Sequence, residues 1–187
     1  MKSLLISFSL FLLLSTSVFG QQTAKIHIGE SSQIIIVGKS NVNKFDCDYE
    51  SSITDREKAI IYKKIDNTLQ LKNAKLRLKS KTFDCGGSRI NNDFDELLEV
   101  KAHPYIHIDF NRIDINTDHY HVFSKISIAK YSNDYDFSIK KNSENRYVGE
   151  VEIDINDFGM EAPRKMMGLI VVDNHIKINF DLDLNIE

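Results

Sequence analysis

The sequence predicts an all-β domain of antiparallel strands, and three observations favour this class. Apolar residues recur at every second position over most of the chain, which places them on one face of successive strands. Short runs rich in Asn, Asp and Ser separate these segments, as expected of tight turns. Helix-length segments do not alternate with the strands, which excludes parallel crossover connections. About eight or nine such strands would form a sheet closed on itself or folded into a sandwich.

The first half of the chain contains short strand segments and one change of phase. The segment 59–65 ends at Asp66-Asn67, a two-residue hairpin signal. The leucines on either side of residues 73–75 have opposite parity, so we expect a turn or bulge there. The alternating residues of this half are Ile34, Ile36 and Gly38, then Phe45, Cys47 and Tyr49, and finally Leu69, Leu71, Leu76 and Leu78.

The second half of the chain alternates more regularly and predicts five strands. Turn residues at 116–118, 133–134 and 142–145 separate them. The alternating residues are Ile106, Ile108 and Phe110; Tyr120, Val122, Ser124, Ile126 and Ile128; Tyr135, Phe137 and Ile139; Tyr147, Gly149, Val151, Ile153 and Ile155; and Ile176, Ile178, Phe180, Leu182 and Leu184.

Residues 91–100 are the one segment with helical spacing. Their apolar residues lie three and four positions apart, acidic residues fill the first turn, and Asn91 or Asn92 can serve as the N-cap. We expect a short helix that ends before Pro104 and covers one opening of a barrel or one edge of a sheet. An irregular acidic loop is the alternative.

The N-terminal residues 1–20 have the pattern of a secretory signal peptide. Lys2 precedes a mostly apolar stretch of about 11 residues, shorter than the roughly 20 that a spanning helix needs. Val18 and Gly20 provide small residues at the cleavage site. We therefore expect a mature domain of residues 21–187 in the periplasm or outside the cell, without a transmembrane span.

The charge balance excludes one class of partner. The 187 residues include 24 Lys and Arg against 27 Asp and Glu, with the two signs interspersed. A mildly acidic chain lacks the basic surface that nucleic-acid binding requires. The sequence leaves the oligomeric state open.

Motifs of catalysis and of cofactor binding are absent from the sequence, so no catalytic residue, metal ligand or cofactor is assigned. His119 and His121 would share a strand face and could present two imidazoles to a metal, but exposed polar residues at a strand entrance explain them better. Asp93 and Asp95 lack the spacing of a calcium loop and fit helix-capping acids better.

Cys47 and Cys85 are the only thiols, and each ends a Phe-Asp-Cys triplet. In an exported chain oxidation is permitted, so we expect a disulfide between them. Two buried reduced thiols are the alternative. A redox-active pair is disfavoured because no CxxC arrangement occurs.

Residues 158–168 combine chain-breaking residues with cations and flexible thioethers. Arg164 and Lys165 precede Met166 and Met167. Cations pair with anions and Met adapts to varied apolar shapes, so this segment could contact the head group of an amphiphile. A solvated surface loop with Met packed into the core is the alternative.

Four stretches have the order and spacing of motifs found in one known family. They are Ser40-Asn41-Val42-Asn43-Lys44-Phe45-Asp46-Cys47; Lys81-Thr82-Phe83-Asp84-Cys85-Gly86-Gly87 running on to His103-Pro104-Tyr105-Ile106-His107-Ile108-Asp109-Phe110; Gly149-Glu150-Val151-Glu152-Ile153-Asp154-Ile155-Asn156-Asp157-Phe158-Gly159-Met160; and Val172-Asp173-Asn174-His175-Ile176-Lys177-Ile178-Asn179-Phe180-Asp181-Leu182. Together they resemble the YceI-like, or polyisoprenoid-binding-like, secreted bacterial proteins.

The resemblance implies an eight-stranded antiparallel, lipocalin-like barrel that holds a polyisoprenoid or fatty-acid derivative. We therefore expect a non-enzymatic lipid-binding protein, with Arg164 or Lys165 as head-group contacts. A filled barrel that acts as a cell-envelope interaction module without a lipid is the alternative. The expected wall residues, which assume that each apolar face points inward, are Leu76, Leu78, Ile108, Phe110, Ile126, Ile128, Phe137, Ile139, Val151, Ile153, Ile178 and Phe180.

Export has a direct test. When the full chain is expressed in a bacterial host, the secreted form should begin at Gln21, as measured by intact mass. Gly20→Leu should block cleavage, because the last residue of the signal must be small. Exported wild-type protein that retains Met1 would contradict the expectation.

Overall fold

The structure is a computed structural model that describes residues 20–50, 56–165 and 169–187. The signal segment up to residue 19 and the predicted contacts Met166 and Met167 lie outside these residues. So do the side chains of Arg164 and Lys165, of which only the backbone is described.

The described residues form fourteen strands, one α-helix and two 3-10 segments. In chain order they are β1 (Gln22–Ile28), β2 (Gln33–Lys39), β3 (Lys44–Tyr49), β4 (Glu57–Ile65), β5 (Thr68–Lys72), β6 (Lys75–Lys79), a first 3-10 segment (Ser80–Thr82), β7 (Phe83–Asp84), α1 (Ser88–Leu97), β8 (Tyr105–Ile115), β9 (Tyr120–Ile128), β10 (Tyr131–Lys141), β11 (Arg146–Asp154), a second 3-10 segment (Ile155–Phe158), β12 (Arg164–Lys165), β13 (Ile170–Val171) and β14 (His175–Ile186).

The strands close into a ring of eight, which confirms the predicted antiparallel barrel. The ring runs β1-β4-β5-β8-β9-β10-β11-β14 and returns to β1, with every pair antiparallel. β2 continues β1 along the same edge of β14, and β3 and β7 follow it on that side. β12 and β13 form a separate two-stranded hairpin.

β1 was missed by the sequence reasoning, although Ala24, Ile26 and Ile28 alternate. This strand is short and directly follows the predicted cleavage site, so nothing local distinguishes it from a linker. Its partners are remote in sequence: Ile26 pairs with Lys58 of β4 and with Ile186 of β14. Long-range pairing therefore defines the strand.

The predicted change of phase is a bulge between β5 and β6. Asn73 has a positive φ of 61°, and the carbonyl of Ala74 accepts a hydrogen bond from the Phe110 amide at 2.8 Å. β5 and β6 both pair with β8, whose own register shifts between Phe110 and Arg112. The bulge restores the same inward face to both halves of the interrupted strand.

The helix exists but begins at Ser88, earlier than predicted. The expected N-cap was wrong for both Asn91 and Asn92, because Gly87 is the N-cap, and the acids at 93 and 95 lie beyond the first turn. The Asn91 side chain instead accepts from the Cys85 amide at 2.7 Å and donates to Asp84 at 2.8 Å. Asn91 thus ties the helix to the preceding strand. Within the described ranges, no helix has the length and apolar character that crossing a bilayer demands.

The two ends of the barrel differ. At one end, α1 connects β7 to β8, and the second 3-10 segment with the β12–β13 hairpin connects β11 to β14. We call this the capped end. At the other end the strands are joined by tight turns, such as Asp66-Asn67 between β4 and β5. We call this the open end.

The predicted disulfide is present near α1. Cys47 of β3 and Cys85, which follows β7, are bonded and both are buried. Phe83, beside Cys85 in the chain, makes edge contacts with Tyr49 and with Phe94 of α1 at centroid distances of 5.0 and 5.6 Å. The disulfide therefore fixes the strand that leads into the helix.

Removal of this disulfide should destabilise the barrel. The bond closes a loop with a sequence separation of 38, for which chain entropy gives a contribution of about 4 kcal/mol to the free energy of unfolding. Cys47→Ala with Cys85→Ala should lower that free energy in denaturant titrations. Dithiothreitol should destabilise the wild type and leave the double variant unchanged. Equal sensitivity of the two proteins to reductant would contradict the assignment.

Candidate functional site

The predicted wall residues all lie on the inward face of the barrel. Cross-strand pairs such as Ile108 with Ile126, and Val151 with Ile178, bring them side by side. Ten of the twelve are buried, while Phe110 and Ile139 are half-buried and pack against the same cluster. The apolar faces of these strands therefore point inward, and a role of these residues in ligand binding stays a prediction.

The part of the lumen nearest the capped end is filled by side chains. Ile126 is fully buried, and Ile108 and Ile153 are each 1% exposed. Farther along the lumen, Phe137 and Phe180 stack with ring centroids 5.6 Å apart. The packing therefore leaves little exposed apolar surface in this part of the lumen.

Gly149 lies on the inward face of β11, next to this ring pair. A Cβ at position 149 would come within 2.9 Å of the Ile139 side chain and of the Ser138 carbonyl. The strand therefore requires glycine here, because adjacent strands and side chains already occupy the space.

The second 3-10 segment plugs the capped end. Phe158 is 1% exposed and stacks on Tyr135 at a centroid distance of 6.0 Å. The Tyr135 hydroxyl donates to Asp157 at 2.6 Å. Burial, and then the bond to this carboxylate, raise the pKa of Tyr135 well above its usual value, so the hydroxyl stays protonated and holds the plug.

The open end retains exposed apolar surface. Tyr120 and Tyr147 face each other there with ring centroids 6.1 Å apart, and the Lys141 amine lies 5.7 Å from the Tyr147 ring centre. These rings belong to a set of half-buried, inward-facing apolar residues, which we call the open-end ring: Ile26, Tyr62, Leu69, Leu71, Ile113, Tyr120, Ile139, Tyr147 and Leu184.

Sequence reasoning identified Ile139 as a wall residue but not the open-end ring as a site. The other members alternate with polar residues in the same way as the buried positions do. The alternation in the sequence therefore indicates which residues face inward. It does not indicate which end of each strand stays exposed, because that depends on the capping elements.

Arg164 and Lys165 form β12, whose backbone pairs with β13 in the connection at the capped end. The backbone of these two residues therefore belongs to the capped end, opposite to the open-end ring. Their predicted role as head-group contacts stays a prediction, because their side chains lie outside the described residues.

The two histidines considered as metal ligands bind separate carboxylates. His119 Nδ1 lies 2.7 Å from Asp118, and His121 Nε2 lies 2.9 Å from Asp136. The hydrogen bond from His119 lowers the pKa of Asp118. In the part of the chain that the structure describes, no three His, Cys, Asp or Glu side chains are grouped to hold a metal.

Two described cavities lie outside the lumen. One, of about 400 Å³, is lined mainly by outward-facing residues of β10, β11, β14 and β2, including Lys140 and Val148. The other, of about 340 Å³, lies in the connection at the capped end near Asn156 and Asn174. Close by, the His175 amide and Lys39 lower the pKa of Asp173 to about 2, which keeps this carboxylate charged.

An eight-stranded antiparallel ring with an apolar inward face, plugged at one end, defines a lipocalin-like barrel. The chain belongs to the YceI-like domain family, whose model matches residues 29–184. No curated protein matches the sequence significantly.

Two crystal structures show the same fold. BcnA of Burkholderia cenocepacia superposes with a TM-score of 0.61 at 17% identity, covering 82% of this chain and 96% of BcnA. A polyisoprenoid-binding domain from Saccharophagus degradans, implicated in plant cell wall breakdown, gives a TM-score of 0.54 at 12% identity and covers 85% of this chain and 96% of that domain. At these identities the likeness concerns the fold.

The difference between the filled and the exposed part of the lumen predicts different costs for the same substitution. Ile126→Ala should lower the free energy of unfolding by about 2 to 5 kcal/mol, because it leaves a cavity in a packed region. Ile113→Ala, in the open-end ring of the neighbouring strand, should cost less than about half as much, since water already reaches that side chain. If both variants lost the same free energy of unfolding in denaturant titrations, the difference between the filled and the exposed part of the lumen would be contradicted.

Proposed function

We propose that this chain is an exported, non-enzymatic protein that binds an apolar or amphiphilic lipid, a polyisoprenoid or a fatty-acid derivative, inside its barrel. The observation that carries the proposal is the largely apolar inward face of the strands, whose half-buried residues include the open-end ring. Such a surface is unfavourable in water unless something covers it.

The dimensions of the barrel fit one slim ligand. A ring of eight strands encloses an interior that is filled by its own side chains or holds a single small ligand. Each Å² of apolar area that a lipid removes from water contributes about 25 cal/mol. The half-buried tyrosines of the open-end ring add an amphipathic rim, which suits a ligand with an apolar body and a polar head.

The relatives support this class of ligand. The domain from Saccharophagus degradans is described as polyisoprenoid-binding, and its fold extends over most of this chain. The YceI-like family model covers residues 29–184. We extend lipid binding to this chain because its own inward face has the required apolar character.

Export is supported by the N-terminal sequence and by the disulfide. A structural disulfide such as Cys47–Cys85 is typical of proteins in oxidising compartments. A lipid that must cross an aqueous compartment needs a carrier that shields it, and an exported barrel provides that shielding.

A non-enzymatic role agrees with the placement of the ionisable groups. In the described strands, acids and histidines occupy outward positions, such as Asp136 and His121, or lie in turns. The inward positions hold apolar residues, tyrosines, Ser124, Asn133 and a few lysines. General acid–base chemistry on a ligand in the lumen would need a pair of such groups facing it.

Lipid should copurify with the protein from its own host. Organic extraction followed by mass spectrometry, together with native mass spectrometry, should show one lipid per barrel. Ile139→Glu, which places a charge in the open-end ring, should abolish the bound lipid. Lys140→Glu, the next residue on the outward face, should retain it. Wild-type barrels that are stoichiometrically empty would overturn the proposal.

A second candidate is the interaction module without a lipid. It is favoured by one observation: four of the five exposed large apolar residues in the described ranges lie in the turns and strand ends of the capped end. Exposed apolar groups of this kind mark contact surfaces. This candidate predicts an empty barrel in the same extraction. The four residues are Val42, Tyr131, Leu169 and Val171.

A further inference from the structure

The exposed part of the lumen is shallow. On β9 only Tyr120 of the inward residues keeps appreciable exposure, since Val122 and Ser124 are 1% and 2% exposed. On β14 Leu182, one inward position deeper than Leu184, is 8% exposed, and on β8 the half-buried inward positions end at Phe110. Successive inward positions are about 7 Å apart along a strand. A ligand that enters at the open end therefore reaches apolar surface over only one or two such steps.

Below this depth the interior resists further entry. Phe137 and Phe180 come from the two strands that flank β11 and stack on the inward face, and Gly149 of β11 is enclosed by its neighbours. A longer chain would have to displace these packed side chains, which costs the dispersion contacts that they make with one another. The structure thus sets an upper limit on the length of apolar chain that binds well.

The charged residues on the inward face at the open end are lysines. Lys141 is the last residue of β10, pairs with Tyr147, and holds its amine over that ring. Lys64 of β4 pairs with Leu69 and is also exposed at this end. The acids of the turns at this end are Asp66, Asp118 and Glu144, which lie outside the strands. The inward charge at the open end is therefore positive.

We propose that the open end admits a short-chain amphiphile with an anionic head group, a carboxylate or a phosphate, whose head lies against Lys141 while its chain fills the open-end ring. This inference rests on the proposed lipid-binding function and narrows its ligand class. It assigns the head group to the end of the barrel opposite to Arg164 and Lys165.

Titration calorimetry with octanoate, laurate, octanol and octyl phosphate tests the chain limit. Octanoate should bind. The affinity for laurate should exceed that for octanoate by less than about fivefold. If the additional methylenes were buried, each would tighten binding about fourfold. Phe137→Ala, which removes one of the stacked rings, should restore a clear preference for laurate. Laurate that binds the wild type more than a hundredfold more tightly than octanoate would overturn the chain limit.

The head-group contact is tested by charge reversal. Lys141→Glu should weaken octanoate about tenfold and leave neutral octanol unchanged, whereas Lys140→Glu on the outward face should change neither. Octyl phosphate that responds to Lys141→Glu while octanoate does not would restrict the site to phosphates and overturn the carboxylate arm. Equal affinities of wild type and Lys141→Glu for both anions would overturn the contact.

The outcomes separate this inference from the proposed function. If none of the four compounds binds and native protein carries no lipid, the proposed function fails. If long chains bind better without limit, or if charge reversal has no effect, the proposed function stands and this inference fails. Melting temperatures of each variant verify that the barrel is folded.

Discussion

Closure of the ring between the first and last strands is the constraint on which the rest of the structure depends. Ile26 and Ile28 of β1 pair with Ile186 and Leu184 of β14, and the backbones of Lys25 and Glu187 exchange hydrogen bonds of 2.8 and 2.9 Å. Without this pairing the sheet would have two unpaired edges and two faces. Closure makes one face of every strand the interior of the barrel. In each strand, alternate residues therefore face either the interior or the solvent.

The up-and-down order of the strands then creates two unlike ends. Because neighbouring strands are antiparallel, successive connections alternate between the two ends. The two longest connections of this chain lie at the same end. Here those connections contribute Phe94 of α1 and the buried Phe158 to the interior. The tight turns at the other end contribute nothing comparable. The capped and open ends are consequences of connection length and not of the strands themselves.

The inward face was predictable from sequence because its signal is local. A period of two survives in every strand of the second half, and the bulge at Asn73 was visible as a change of parity. β1 was not predictable, since its identity depends on pairing with β4 and β14. The helix start was misplaced because Asn91, a favourable cap by residue type, binds Cys85 and Asp84 instead. At Asn91, hydrogen bonds to the preceding segment outweigh the preference of asparagine for the N-cap position.

The candidate site was predictable in composition but not in position. The same alternation supplies Ile126, which is fully buried, and Ile139, which solvent reaches, and nothing in either local sequence separates them. Lys141 reads as an ordinary terminal residue until pairing with Tyr147 places it at the rim. A binding site in a closed barrel is therefore defined by where packing stops. That boundary is set jointly by the capping connections and by bulky pairs such as Phe137 with Phe180, and strand alternation alone does not reveal either of them.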